Sequence, residues 1–118
     1  TKEQDQGGVF RDRSALIGSI INSEPEVSLK SDVFRWTNVS DLRTSYQTFL
    51  TAKRANTARP DMIYVGSNNG YLHGFNTSTG DEVFAFVPAS SRVQMGEIPR
   101  PTFTHRYFVD GDLTAVDA

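Results

Sequence analysis

Met62-Ile-Tyr-Val-Gly-Ser-Asn-Asn-Gly-Tyr-Leu-His-Gly-Phe-Asn-Thr-Ser-Thr-Gly-Asp-Glu-Val-Phe-Ala-Phe-Val87 holds three β-rich runs joined by two short turns. The first run is Met62 to Val65. Ser67-Asn-Asn-Gly70 follows it, with an Asn-Gly step that tolerates the positive φ of a hairpin turn. Tyr71 to Phe75 is the second run, and Asn76 to Gly80 is a second glycine-ended turn. Glu82 to Val87 is the third run, stopped by Pro88, which cannot donate to a sheet ladder. The pattern predicts a three-stranded antiparallel meander over about 61–87. Side chains alternate along a strand, so Val83, Ala85 and Val87 point one way and Phe84 and Phe86 the other. An antiparallel sheet backed by solvent alternates apolar with polar, and this strand is apolar on both faces. The expectation is therefore a sheet sandwiched between neighbours, as a β-propeller blade is.

Working outward, residues 1–14 are polar and glycine-containing and read as loosely held, with 1–12 flexible. Ala15 to Ile21 reads as a short strand, ended by Asn22-Ser-Glu-Pro25, and Val27 to Leu29 as another. Ser40 to Ala55 changes period. Leu42, Tyr46, Phe49 and Leu50 fall on one stripe of a helix. Ser40 or Asp41 is placed to cap its start, and Lys53 and Arg54 suit the negative end of its dipole. Downstream, Pro88 to Gly96 predicts a helical turn, and Ile98 to Pro101 an extended link. His105 to Val109 predicts a strand, Asp110-Gly111-Asp112 a turn, and Leu113 onward a last strand. The fold class expected is all-β with one or two helical insertions.

Composition narrows the function classes. The 118 residues suffice for one small domain or part of a larger one, and 37% apolar content can feed a core. A net charge of −2 and the absence of any Lys/Arg run exclude a nucleic-acid-binding reading. Arg11, Arg13, Arg54 and Arg59 read as solvated charges. The chain has no Cys, which rules out disulfides and thiolate metal sites. No apolar run approaches the roughly 20 residues that span a bilayer. The polar start and the strand-like end predict a fragment cut at both ends from a longer chain.

No catalytic, cofactor or metal site is expected from the residues. His73, between Tyr71 and Phe75, reads as a packed and hydrogen-bonded histidine. His105 reads as the anchor of a strand, and no spacing makes the two a metal pair. Asp110, Asp112 and Asp117 do not follow a calcium-loop pattern, since the sixth position from Asp110 is Ala115. Glu24 and Glu26 read as solvated, and no serine sits in a nucleophile-elbow motif. Asn38 and Asn76 match the glycosylation pattern.

Four stretches together resemble the PilC/PilY family of type IV pilus biogenesis and tip-adhesin proteins. They are Arg13 to Pro25, the Tyr46–Phe49 helix leading to Arg59-Pro60, Ile63 to Pro88, and His105 to Gly111. Ser19 and Asn69 stand where that family usually has Asp. The resemblance implies a fragment of a β-propeller with quinoprotein-like blades, its other blades lying outside this segment. It implies a non-enzymatic role in pilus assembly, adhesion and twitching at the surface, outer membrane or periplasm of a Gram-negative bacterium. Its partners would be pilin subunits, other assembly proteins, and host or surface receptors. Any calcium would sit elsewhere in the longer parent. Quinoprotein blades share the Val-Gly, turn, Gly, aromatic-Leu, turn, Thr-Gly pattern. A quinone-dependent dehydrogenase and an outer-membrane assembly scaffold are therefore the alternatives.

Overall fold

The computed structural model describes residues 2–117. Its centre is one four-stranded antiparallel sheet in the order β1-β2-β3-β4, formed by Glu26–Ser28, Met62–Gly66, Leu72–Asn76 and Glu82–Phe86. The meander is as expected. Gly70, at φ 93°, closes the first turn, where the Ser67 N–H donates to the Tyr71 carbonyl at 3.0 Å. Gly80, at φ 76°, closes the second. Both positions need the left-handed backbone that glycine adopts without a Cβ clash.

A bulge at Gly74/Phe75 adjusts the last pairing. Gly74 faces Phe84, yet Phe75 faces Glu82 rather than Val83. One extra residue on β4 thus moves Glu82 to the face that carries His73 and Phe75. On the opposite face, Tyr64 and Phe84 flank Gly74, and their rings lie 6.0 Å apart. A Cβ on Gly74 would stand 2.7 Å from the Phe84 ring, so glycine is what lets the two aromatics approach.

Helix α1 spans Arg43–Ala55 and buries Tyr46, Leu50 and Lys53. The predicted stripe is corrected at both edges, because Leu42 and Phe49 are exposed. No side chain caps the start: the Val39 carbonyl takes the N–H groups of Leu42 and Arg43, and the Ser40 hydroxyl turns to Asp41 instead. A second helix, α2, spans Ala89–Arg92, followed by a 3₁₀ turn at Met95–Glu97, within the predicted helical segment.

Three predicted extended segments form no ladder. Ala15–Ile21 and His105–Val109 have strand composition but carry no strand pairing, and nor does the segment from Leu113. β1 already occupies the outer edge of β2, and these segments are held by single hydrogen bonds to side chains or, at Ser19, to the Asn68 N–H. Ile98–Pro101 is turned rather than extended, with the Ile98 N–H on the Met95 carbonyl and the Arg100 N–H on the Glu97 carbonyl. His105 therefore anchors no strand. Its Nε2 lies 3.0 Å from the Ser19 hydroxyl. Within 2–13, the Glu3 carboxylate binds Arg13, and Glu3 bridges Phe10.

The sheet is not covered on both faces. Val83, Phe84 and Phe86 of β4 are 52%, 41% and 55% exposed, so neither set of alternating side chains is shielded within the described chain. The sandwiched arrangement is thus not met by this segment, which forms one open sheet with two helices. Its outline of 61 × 26 × 20 Å and radius of gyration of 18.7 Å are extended. A compact chain of this length has a radius near roughly 13–14 Å. Among the described residues few apolar side chains are buried: Tyr46, Leu50, Met62, Val65 and Ile98.

Candidate functional site

The most ordered polar arrangement surrounds the β2–β3 turn. Asn68 is its hub. The Asn68 Nδ2 donates to Asp110 at 2.9 Å, and its Oδ1 accepts the Phe108 N–H at 2.9 Å. Asp110 also accepts from the Asn22 backbone at 3.2 Å and the Asn22 amide at 2.5 Å. The Gly66 N–H donates to the Ser23 hydroxyl, and the Asn68 N–H to the Ser19 carbonyl, both at 2.9 Å. Gly66 and Gly18 are glycine for lack of space: a Cβ on either would collide with the backbone of Val109 or Asn69. Partial desolvation raises the Asp110 carboxyl, but the hydrogen bonds from Asn68 and Asn22 outweigh it and hold it below the usual aspartate range. The residues from three of the four family-like stretches thus meet at one turn.

Behind the turn lies a serine–histidine–glutamate relay. His73 is buried, and its Nδ1 lies 2.5 Å from Glu82 Oε1, delivered by the bulge. Its Nε2 lies 2.9 Å from the Ser67 hydroxyl. The His73 ring is flanked by Tyr71 and Phe75, with centroids 5.7 and 6.0 Å away. The order of groups is that of a nucleophilic triad, but the site lacks what a triad needs. Ser67 has no exposed surface, and its hydroxyl is already engaged by Asn69 Oδ1 and the Tyr71 carbonyl. The nearby N–H groups of Ser67, Asn68 and Gly70 are each bonded to a carbonyl, so they offer no oxyanion hole. The relay fastens β4 to the turn, as the packed reading of His73 expects.

A second polar cluster went unread in the sequence. Lys53 Nζ lies 2.8 Å from both Asp117 oxygens, with the two side chains 1% and 8% exposed. The Tyr46 hydroxyl donates to Asp117 at 2.9 Å and accepts the Phe34 N–H at 3.0 Å. Trp36 Nε1 donates to the Asp117 carbonyl. Burial pushes the Tyr46 phenol up, and the Asp117 carboxylate adds to that. Lys53 therefore serves an internal ion pair rather than the helix dipole, and Asp117, placed on the expected last strand, is its buried partner. Helix-end position alone does not distinguish the two roles of a lysine.

The remaining candidates are dispersed. Glu26 Oε1 accepts the Ala115 N–H at 3.0 Å, and Arg59 reaches the Ser28 hydroxyl at 3.3 Å. Glu24 and Arg54 are exposed. The Asn76 side chain accepts the Ser78 N–H and shapes the second turn. Among the described residues, Glu3, Asp5 and Asp12 bring carboxylate oxygens within 4.8 Å of one another. Glu3 is already bound by Arg13, and Asp12 by the Asp5 N–H. No helix among the described residues is long and apolar enough to cross a membrane.

Relatives of known kind match this geometry's sequence along nearly its whole length. A homologue of the type IV pilus biogenesis factor PilY1 from Xylella fastidiosa is 36% identical over 117 residues, 99% of this chain and 9% of that protein. The type IV pilus biogenesis factor PilY1 of Pseudomonas aeruginosa strain UCBPP-PA14 is 35% identical over 120 residues, 98% of this chain and 10% of that protein. No protein-family model and no solved structure matches the chain. The chain is thus related to one segment of type IV pilus biogenesis factors. The particular relatives are PilY1 and its homologues, and the likeness is to a fragment of PilY1. The chain spans about a tenth of their length.

Proposed function

We propose that this chain is a non-enzymatic structural and binding segment of a type IV pilus biogenesis factor acting at the surface or pilus of a Gram-negative bacterium. The observation that carries the reading is the likeness to PilY1 over 99% of the chain. The sealed Ser67–His73–Glu82 relay supports a role without chemistry, because its serine is inaccessible. In this reading the four-stranded sheet is one blade of a propeller, and the bare faces of β4 are covered by further sheets of the longer protein. Such a scaffold presents its loops to pilin subunits, to other assembly proteins and to receptors during attachment and twitching.

The experiment is genetic. In the source bacterium, residues 61–87 are deleted from the chromosomal copy, and surface pili, twitching and attachment are scored beside an immunoblot of the protein. Loss of surface pili with the protein still present is the expected result. Normal piliation and attachment would remove the proposal.

A further inference from the structure

Asn69-Gly70 is the one Asn-Gly step in the chain. Such a step is chemically labile, because glycine has no Cβ to hinder attack of its nitrogen on the asparagine side chain. The Gly70 nitrogen gives up its proton and bonds to Asn69 Cγ, and Nδ2 leaves as ammonia. Water then opens the five-membered imide. Breaking the new bond leaves an aspartate at position 69. Breaking the original peptide bond leaves an isoaspartate, with the main chain routed through the side chain. One water is consumed and one ammonia released, and no other reactant enters.

The fold holds both partners of this reaction. The Gly70 N–H donates to the Ser67 carbonyl at 3.2 Å. The Asn69 Oδ1 accepts from the Ser67 hydroxyl, and His73 Nε2 stands 3.4 Å from it. Attack requires the Gly70 N–H to be released and the Asn69 amide to be free to rotate. Gly70 is buried at φ 93°, and a Cβ on it would stand 2.9 Å from Met95 Cγ, so its backbone has little room to turn. Ser67 is fixed in turn by His73 at 2.9 Å, and His73 by Glu82. Asn69 itself is only half-buried and walls clefts of about 220 and 560 Å³, so water reaches it. What separates the labile step from reaction is therefore the hydrogen bonding of Ser67, and native turns open locally without global unfolding.

We infer that Asn69-Gly70 is a self-modification site held shut by the Ser67–His73–Glu82 relay, reacting when the β2–β3 turn opens. Conversion is one-way, so it accumulates with each opening. An aspartate sets a new carboxylate beside His73. An isoaspartate lengthens the main chain within a turn closed by the Ser67 N–H on the Tyr71 carbonyl. This inference stands apart from the pilus reading, and neither depends on the other.

The test is to incubate the folded chain at mildly alkaline pH and follow position 69 by peptide mass spectrometry, resolving the aspartate and isoaspartate products. A blocked peptide spanning residues 66–72 supplies the rate without the fold. The folded chain should convert more slowly than the peptide by at least about tenfold, the factor that one net hydrogen bond carries. Ser67→Ala should speed conversion in the folded chain by about the same factor. Lys53→Met, which weakens the fold far from the turn, should speed it less than Ser67→Ala does. Equal rates in folded chain and peptide overturn the inference, as does a Ser67→Ala variant no faster than the unaltered chain. Faster conversion in Lys53→Met than in Ser67→Ala also overturns it, since global unfolding would then be the gate. Should Ser67→Ala fail to fold, Glu82→Gln loosens the relay from its exposed end, and an unchanged rate there counts against the inference in the same way.

Discussion

The β2–β3 turn and the β4 edge belong to one sheet yet are built in opposite ways. At the turn, small and polar residues are buried: Ser67, Asn68 and His73 are shut in, each with hydrogen-bond partners. At the edge, large apolar residues stand in the open: Val83, Phe84 and Phe86. Burial of polar groups is tolerated only where partners are supplied, and the turn receives them from segments on either side of it in the sequence. Exposure of an apolar strand on both faces gains nothing from the hydrophobic effect. The turn is complete in itself, and the edge is a surface fit for something else.

Perturbing the polar interior should have the largest effect. Lys53→Met leaves the Asp117 carboxylate buried without its cation, a change that costs about 3–5 kcal/mol. Thermal or urea unfolding should show it as a large drop in midpoint. An unchanged midpoint would mean that the clamp is not closed in solution. Ser67→Ala comes next. It removes a partner from His73 and from the Asn69 side chain, for an expected loss of about 1–3 kcal/mol, read by the same unfolding curves.

Acid sharpens the contrast by acting on one side of it alone. Hydrogen bonding holds the folded Asp110 carboxyl below its ordinary value of 3.8. A lowered carboxyl contributes stability that is complete above the ordinary value and is lost as pH falls through the folded one. Hydrogen exchange at the Phe108 and Asn22 amides should therefore accelerate only below that ordinary value, while β4 amides show no matching step. The smallest effect on stability is expected at the edge itself. Val83→Ser with Phe86→Ser should change unfolding by no more than about 0.5 kcal/mol each, as exposed positions do, while reducing self-association in sedimentation. A large destabilisation would show that β4 is covered after all.

The meander was legible because its signals are local. Asn69-Gly70 and Thr79-Gly80 mark turns without reference to anything distant, and strand composition fills the intervals. The helix was legible in extent but not in its buried face, since Lys53 looks like a solvent-seeking end residue until Asp117 is brought to it from 64 positions away. The hub was illegible for the same reason. Asn22 and Asp110 are 88 positions apart, and neither carries a pattern that announces the other. Ala15–Ile21 and His105–Val109 misled because strand composition reports a preference, whereas a strand also needs a free edge to join. The place of Glu82 was hidden by the bulge. Strict alternation puts it with Phe84 and Phe86, and a single bulged residue moves it to His73.

The sequential order of the strands bears on how the chain acquires its shape. β2 with β3 and β3 with β4 pair through turns a few residues long, whereas β1 reaches β2 across residues 29–61. Closing short loops costs little entropy, so these two hairpins can zip early during synthesis or refolding. The lysine–aspartate clasp between α1 and Asp117 spans a much longer loop and must await Asp117. A refolding chain should therefore show sheet signals before tyrosine burial, and a ribosome-stalled chain ending before Asp117 should carry the meander without its clasp.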